Sequence, residues 1–215
     1  LALSQILKLI NTAIVEFLFV ILKKFPHKNL CKNFIEFLHH LPFYGLAVTC
    51  IDDPVVKACL PKISRPVMTY GFDESADIKG THYRQEGLKS FFTVQRKGMI
   101  DLEIELNLGG RHNALNALAS IAIATDLHVE DRYIKKALAE FAGVGRRLQI
   151  FGEVSIDQKK VLVIDDYGHH PREIASTVDA IRGAWPNRRL VMAYQPHRYT
   201  RTRDLFEDFV RTLAH

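Results

Sequence analysis

Hydrophobic spacing switches several times along the chain, and each switch marks an element. Asn33–His40 places Phe34, Phe37 and Leu38 on one helical face and meets Pro42. Leu46–Ile51 is a continuous apolar run entering Asp52-Asp53-Pro54, the pattern of a buried strand that feeds a helix N-terminus. Val55–Leu60 then predicts a short helix stopped by Pro61, and Pro66–Tyr70 a strand ending at Gly71. Over Ala76–Leu108 the period is two. Phe91, Thr93 and Gln95 alternate with Phe92, Val94 and Arg96, and Leu102, Ile104, Leu106 and Leu108 alternate with acids and Asn107. Gly87 and Gly98 fall where hairpin turns are needed.

Past Gly109-Gly110 the spacing becomes helical. Ala114–Ala124 is small and apolar all round, which predicts a well-buried helix, and Asp131–Phe141 carries Ile134, Leu138 and Phe141 on one stripe. A domain boundary is expected near Gly143–Gly152. Val161–Ile164 and Leu190–Ala193 predict two buried strands, with helices over Pro171–Trp185 and Leu205–Leu213. Strand–helix–strand–helix is the signature of a parallel sheet with crossover helices.

The N-terminus breaks the pattern. Ala13–Leu22 is a dense apolar run interrupted by Glu16 and flanked by Lys8, Lys23 and Lys24. It is shorter than the roughly 20 residues of a membrane helix, and no small-residue cleavage site follows it. A buried helix, a membrane anchor and an out-of-frame segment are the readings open for it.

Composition adds little to this picture. With 47% hydrophobic and 25% charged residues, 8 Pro and 12 Gly in 215 residues, the chain is globular rather than disordered, collagen-like or rod-like. A net charge of +5 suits polyanionic ligands such as nucleotides. Three cysteines, Cys31, Cys50 and Cys59, cannot all pair, and a reducing compartment is the simplest inference.

Two polar clusters stand at the carboxyl ends of the last two predicted strands, where ligands bind in open α/β sheets: Asp165–Pro171 and Gln195–Arg201. Together they suggest a site for an anion. Gly109-Gly110-Arg111-His112-Asn113 opens the buried helix, whose first N–H groups favour anions. Gly145-Arg146-Arg147 reads as a phosphate clamp or a basic linker. Adjacent His169 and His170 do not suit one metal ion, and no Gly-x-x-x-x-Gly-Lys-Ser/Thr loop or Gly-x-Ser-x-Gly elbow occurs.

Taken in order, five motifs carry a family resemblance. They are Leu41–Gly45, Gly110-Arg111-His112-Asn113-Ala114-Leu115-Asn116-Ala117, Gly145-Arg146-Arg147, Asp166–Pro171 and Gln195–Asp204. From about Phe34 onward the chain resembles the alanine-adding ligases of peptidoglycan synthesis, members of the Mur ligase family, departing at Gly109 (usually Pro) and Leu148 (usually Phe). The resemblance implies an α/β fold: part of a central P-loop-type ATPase domain with a β-rich excursion over 34–147, then an incomplete Rossmann-like C-terminal domain over 148–215, with 1–33 unmatched. It implies an enzyme that uses ATP and Mg²⁺ to join L-alanine to UDP-N-acetylmuramate, for cell-wall biogenesis in the cytoplasm, without a nucleic-acid or membrane partner.

By the same resemblance, His112, Asn113 and Asn116 would hold the adenine, and Arg147 and Asp166 the ribose and phosphates. Tyr167, His169, His197, Arg198 and Arg201 would face the muramate carboxylate, its phosphorylated form and the incoming alanine, with His169 and Arg198 closest to the chemistry. No metal ligand is expected in this chain, because the family's phosphate loop and magnesium carboxylate belong to a region upstream of the match. The chain alone is therefore expected to be inactive and to bind ATP no better than millimolar, and a separately encoded N-terminal half is an expected partner. The alternative is a non-catalytic binding module that retains the nucleotide and muramate surfaces.

Overall fold

The computed structural model describes residues 30–214. The apolar run Ala13–Leu22, and all of the segment 1–33 up to residue 29, lie outside them. Among the described residues no helix is long and apolar enough to cross a membrane.

The first sheet has five strands in sequential order: β1 (Ala47–Cys50), β2 (Val67–Gly71), β3 (Ile78–Glu86), β4 (Lys89–Arg96) and β5 (Leu102–Leu106). β1, β2 and β3 run parallel, β4 returns antiparallel between β3 and β5, and β5 again runs in the direction of β1–β3. The strand–helix–strand step is made by α2 (Pro54–Cys59), continued through Pro61 as a 3₁₀ turn to Lys62 rather than stopped by it. Gly87 and Gly98 take positive φ at the β3–β4 and β4–β5 turns, as the spacing predicts.

Side-chain alternation explains why β1 is covered twice. Val48 and Cys50 face the main core under α3 (Arg111–Asp126), while Ala47 faces a smaller cluster formed by α1 (Leu30–His39) and α2. The main core joins Val94 and Leu106 of the sheet to Leu118 and Ile121 of α3, all essentially inaccessible. α4 (Asp131–Glu140) closes the sheet over β5 with Ile134 and Leu138. Beneath it Arg96, 4% exposed, donates from both terminal nitrogens to the Asp131 carboxylate at 2.7 Å.

Cys31 of α1 and Cys59 of α2 are joined as a disulfide with Cα atoms 5.9 Å apart, and Cys50 stays free. The odd cysteine count permits this pairing, but a reducing compartment does not lead one to expect it.

The C-terminal part departs from expectation. β6 (Gln149–Ile156) and β7 (Lys159–Asp165) form a two-stranded antiparallel hairpin. Asp157 and Gln158 both have positive φ, the backbone of a tight two-residue turn. This local pairing occupies one edge of β7. The predicted strand Leu190–Ala193 is not one: the segment is irregular and Val191 is 76% exposed, since no neighbouring strand lends it a ladder. The predicted parallel strand–helix–strand unit is therefore replaced by the hairpin followed by α5 (Pro171–Ala184), α6 (Tyr199–Asp204) and α7 (Phe206–Leu213).

Candidate functional site

Three segments far apart in sequence meet at the carboxyl ends of the parallel strands, the expected side for a ligand. After β1, the Asp52 carboxylate accepts the Phe72 and Asp73 N–H groups at 2.7 and 2.9 Å, so it shapes the turn that leaves β2. A Cβ on Gly71 would collide with Asp52 Oδ1, so the approach requires glycine. Arg111, the first residue of α3, lies 3.5 Å from Asp52 and stacks on the Phe72 ring at 3.8 Å. Asp53 caps α2 and also meets Arg172 of α5 at 3.5 Å.

α3 begins at Gly110, whose φ of 99° turns the chain from β5 into the helix. Asn113 donates its side-chain amide to the Gly109 carbonyl at 2.7 Å, tying that turn closed. His112 is held neutral: burial lowers its pKa and Arg147 adds to this, against the opposing charges of Asp166 and Asp179. Asn116 lies one turn along α3, and among the described residues its side chain makes no hydrogen bond.

The segment leading into β6 reaches back over this helix. Arg146 and Leu148 have positive φ, and the sharp turn is fixed by Asp166 at the end of β7. One Asp166 oxygen accepts the Leu148 N–H at 2.8 Å and the other the Gly168 N–H at 2.6 Å. Tyr167 N–H in turn donates to the Arg146 carbonyl at 2.7 Å. Arg147 points toward Glu173 of α5, 3.9 Å away, while Arg146 pairs with Asp165 at 3.1 Å and lies over the Tyr167 ring.

Glu173 organises the next loop. It accepts the N–H groups of His169 and His170 at 2.9 and 3.0 Å, while His170 Nδ1 accepts the Arg172 N–H, a reciprocal cap on α5. His169 Nδ1 lies 2.9 Å from the Tyr167 carbonyl, an acceptor that places a proton on Nδ1. The two histidines are thus committed to different tasks.

The second polar loop joins the first although no strand delivers it. The His197 ring lies 5.8 Å from that of His169, and Arg201 donates to the His197 carbonyl at 3.0 Å. Tyr194 packs on Phe209 of α7 and anchors the segment. Burial lowers the Arg201 pKa, with Arg198 beside it acting the same way. Tyr167, His169, His197 and Arg201 form one cluster, and Arg198 stands at its exposed edge with a φ of 68°.

Sequence reasoning overlooked Glu173, Asp179 and Gln85. Glu173 stands three residues after the cap His170, a spacing that signals a capping box. Asp179 and Gln85 carry no local signal, being defined by what packs on them. Among the described residues no group of three or more His, Cys, Asp or Glu side chains is placed to hold a metal ion.

Comparison with known proteins agrees with this architecture. Residues 27–124 match the model of the Mur ligase middle domain, and residues 146–215 that of the Mur ligase glutamate ligase domain. Among solved structures the chain is similar to UDP-N-acetylmuramate-alanine ligase MurC from Thermotoga maritima, with 26% identity and a TM-score of 0.66, covering 87% of this chain and 39% of that one. It is also similar to MurF from Acinetobacter baumannii, with 25% identity and a TM-score of 0.57, covering 71% of this chain and 33% of that one. MurF from Thermotoga maritima in complex with ADP shares the fold at 20% identity and a TM-score of 0.57, over 72% of this chain and 34% of that one. The chain thus spans between a third and two fifths of the length of these proteins. With two domain models matching in order over most of its length, the chain belongs to the Mur ligase family.

Proposed function

We propose that the chain is the nucleotide-closing half of an ATP-dependent ligase that adds L-alanine to UDP-N-acetylmuramate, with 34–147 forming part of the central domain and 148–215 part of the C-terminal domain. The observation that carries this reading is the convergence of the α3 start, the Arg146-Arg147 turn and the end of β7 around His112. The likeness to the Thermotoga maritima alanine ligase supports the choice of amino acid.

The residues fit the adenosine end of ATP. His112 is neutral, so its ring can stack or hydrogen-bond without repelling a base, and the Asn116 amide stands beside it with donor and acceptor available. Each Asp166 oxygen keeps a second lone pair for a ribose hydroxyl after accepting its backbone N–H. Arg147 supplies a guanidinium fork for phosphate oxygens. When bound, ATP supplies the phosphoryl group that activates the muramate carboxylate. For Mg²⁺ the described residues offer no cluster, and no step is assigned to it.

Around the reacting carboxyl, Arg198 and Arg201 offset developing negative charge, and His169 stands beside them with its Nδ1 held by the Tyr167 carbonyl. Tyr167 and His197 flank His169 and set its ring plane.

Mixing the chain with the preceding half of an alanine-adding ligase tests the reading. Phosphate release dependent on both L-alanine and UDP-N-acetylmuramate is the expected result. Turnover with another amino acid in place of alanine would reassign the substrate. Alanine-dependent turnover by the chain alone would overturn the division of labour between halves.

A further inference from the structure

Gln85 lies on β3, outside every motif that carries the family resemblance, yet its side chain touches three separate parts of the fold. Its Oε1 accepts the Gly110 N–H at 3.0 Å and, more loosely, the Tyr83 hydroxyl at 3.4 Å. Its Nε2 donates to the Gly87 carbonyl at 2.8 Å and to the Ala180 carbonyl of α5 at 2.9 Å. Both donors and both acceptor positions of the amide are used. Gly110 starts the helix that bears His112, while Ala180 lies on the helix whose first turn carries Glu173.

The surroundings are cut to this one side chain. A Cβ on Gly109 would come within 2.9 Å of Gln85 Nε2, and a Cβ on Gly183 of α5 within 3.0 Å of both Gln85 Nε2 and Oε1. A Cβ on Gly110 would meet the Ala180 Cβ at 2.9 Å. Three glycines from two segments therefore leave room for close approach, with the Gln85 amide filling the gap between them. Ala180 is 1% exposed and Gln85 half-buried, so the bond between them is partly shielded from water, while the bond to the Gly87 carbonyl is exposed.

We infer that Gln85 is a positioning residue, a latch that seats α5 on the turn before His112 and thereby fixes the distance between the adenosine-facing and carboxyl-facing clusters. The latch rests on contacts between described residues and holds whatever ligand the site takes. Asp179, one residue before Ala180, and Asp166 and Arg147 are the charged groups brought around His112 by this seating.

Gly183→Ala gives the discriminating test. Helix propensity alone predicts that this change strengthens α5, because alanine is the better helix former. The latch predicts the reverse, since the new methyl would stand 3.0 Å from the Gln85 amide and push it by a few tenths of an ångström, straining the four bonds that hold it. Hydrogen exchange on the full chain, read by mass spectrometry, should show protection across 171–184 falling about tenfold in both Gln85→Ala and Gly183→Ala, with β4 and β5 unchanged. The double variant should be no worse than Gln85→Ala, because the clash disappears with the amide. His112, followed by imidazole NMR, should titrate closer to free histidine in each single variant. Protection of α5 at or above the wild-type level in Gly183→Ala would overturn the latch. So would a loss in Gln85→Ala spread evenly through β4 and β5, or additive effects in the double variant. Gly183→Ala keeps every residue of β3 in place and decides the matter even where Gln85→Ala fails to fold.

Discussion

The Asp166 carboxylate accepts the Leu148 N–H at 2.8 Å, so the end of β7 holds the residue immediately after Arg147. The same carboxylate accepts Gly168 N–H, and one side chain therefore sets both the Arg147 turn and the loop toward His169. Asp166→Ala should cost about 2–3 kcal/mol, the scale for losing charge-assisted bonds to backbone donors. Urea unfolding measures this. Asp166→Asn, which keeps one acceptor oxygen, should lie between wild type and alanine.

His112 gives the chain an acid-sensitive site. Its folded pKa is lowered below the ordinary 6.5, chiefly by burial, so the unfolded chain takes up a proton that the folded one refuses. Its contribution to stability is complete above 6.5 and is lost as pH falls through the folded value. Melts of wild type and His112→Gln from neutral to acidic pH should diverge only below that point. A constant offset at all pH values would mean that the imidazole is not buried as described.

The Arg96–Asp131 pair should matter more than a surface bridge. The Arg96 side chain is 2% exposed and Asp131 39%, so removing the acid strands a buried cation. Asp131→Ala should cost about 2 kcal/mol, below the full value for a buried pair because Asp131 is partly hydrated. The Asp131 pKa is lowered, first by its hydrogen bonds from Arg96, so this contribution persists above the ordinary carboxylate range and disappears as acid titrates the folded form. Thermal melts of the variant and wild type at neutral pH provide the comparison.

Joining Cys31 to Cys59 closes a loop across 28 residues. In the chain-entropy picture such a link stabilises by about 3–4 kcal/mol. Reduction, or Cys31→Ser, should lower the unfolding midpoint and leave Cys50 as the unaffected thiol. Peptide mapping without reductant should recover the Cys31 and Cys59 peptides as one linked species.

The sequence is most legible where structure is local. Period-two alternation locates β4 and β5 because one face of each strand is sealed beneath α3 and α4, and Gly87 and Gly98 mark their turns through positive φ. It misleads at Leu190–Ala193, since four apolar residues become a strand only beside a partner, and β7 pairs with β6 through its own short turn. The loops at 165–171 and 195–201 are neighbours, as expected, but side-chain packing unites them rather than adjacent strands. Gln85 is invisible in the sequence because its alternation within β3 looks like any other solvated position. Its contacts belong to glycines up to 98 positions away, and no local pattern encodes them.

Titration of the ¹⁵N-labelled chain with adenosine tests the nucleotide site most directly. Progressive shifts at the His112 ring, the Asn116 side-chain amide and the Leu148 and Gly168 backbone N–H groups are predicted, with a Kd of about 1 mM or weaker, near 4 kcal/mol of binding. Unmoved His112 and Asn116 signals at about 10 mM adenosine, a concentration that would fill most of a millimolar site, would contradict it.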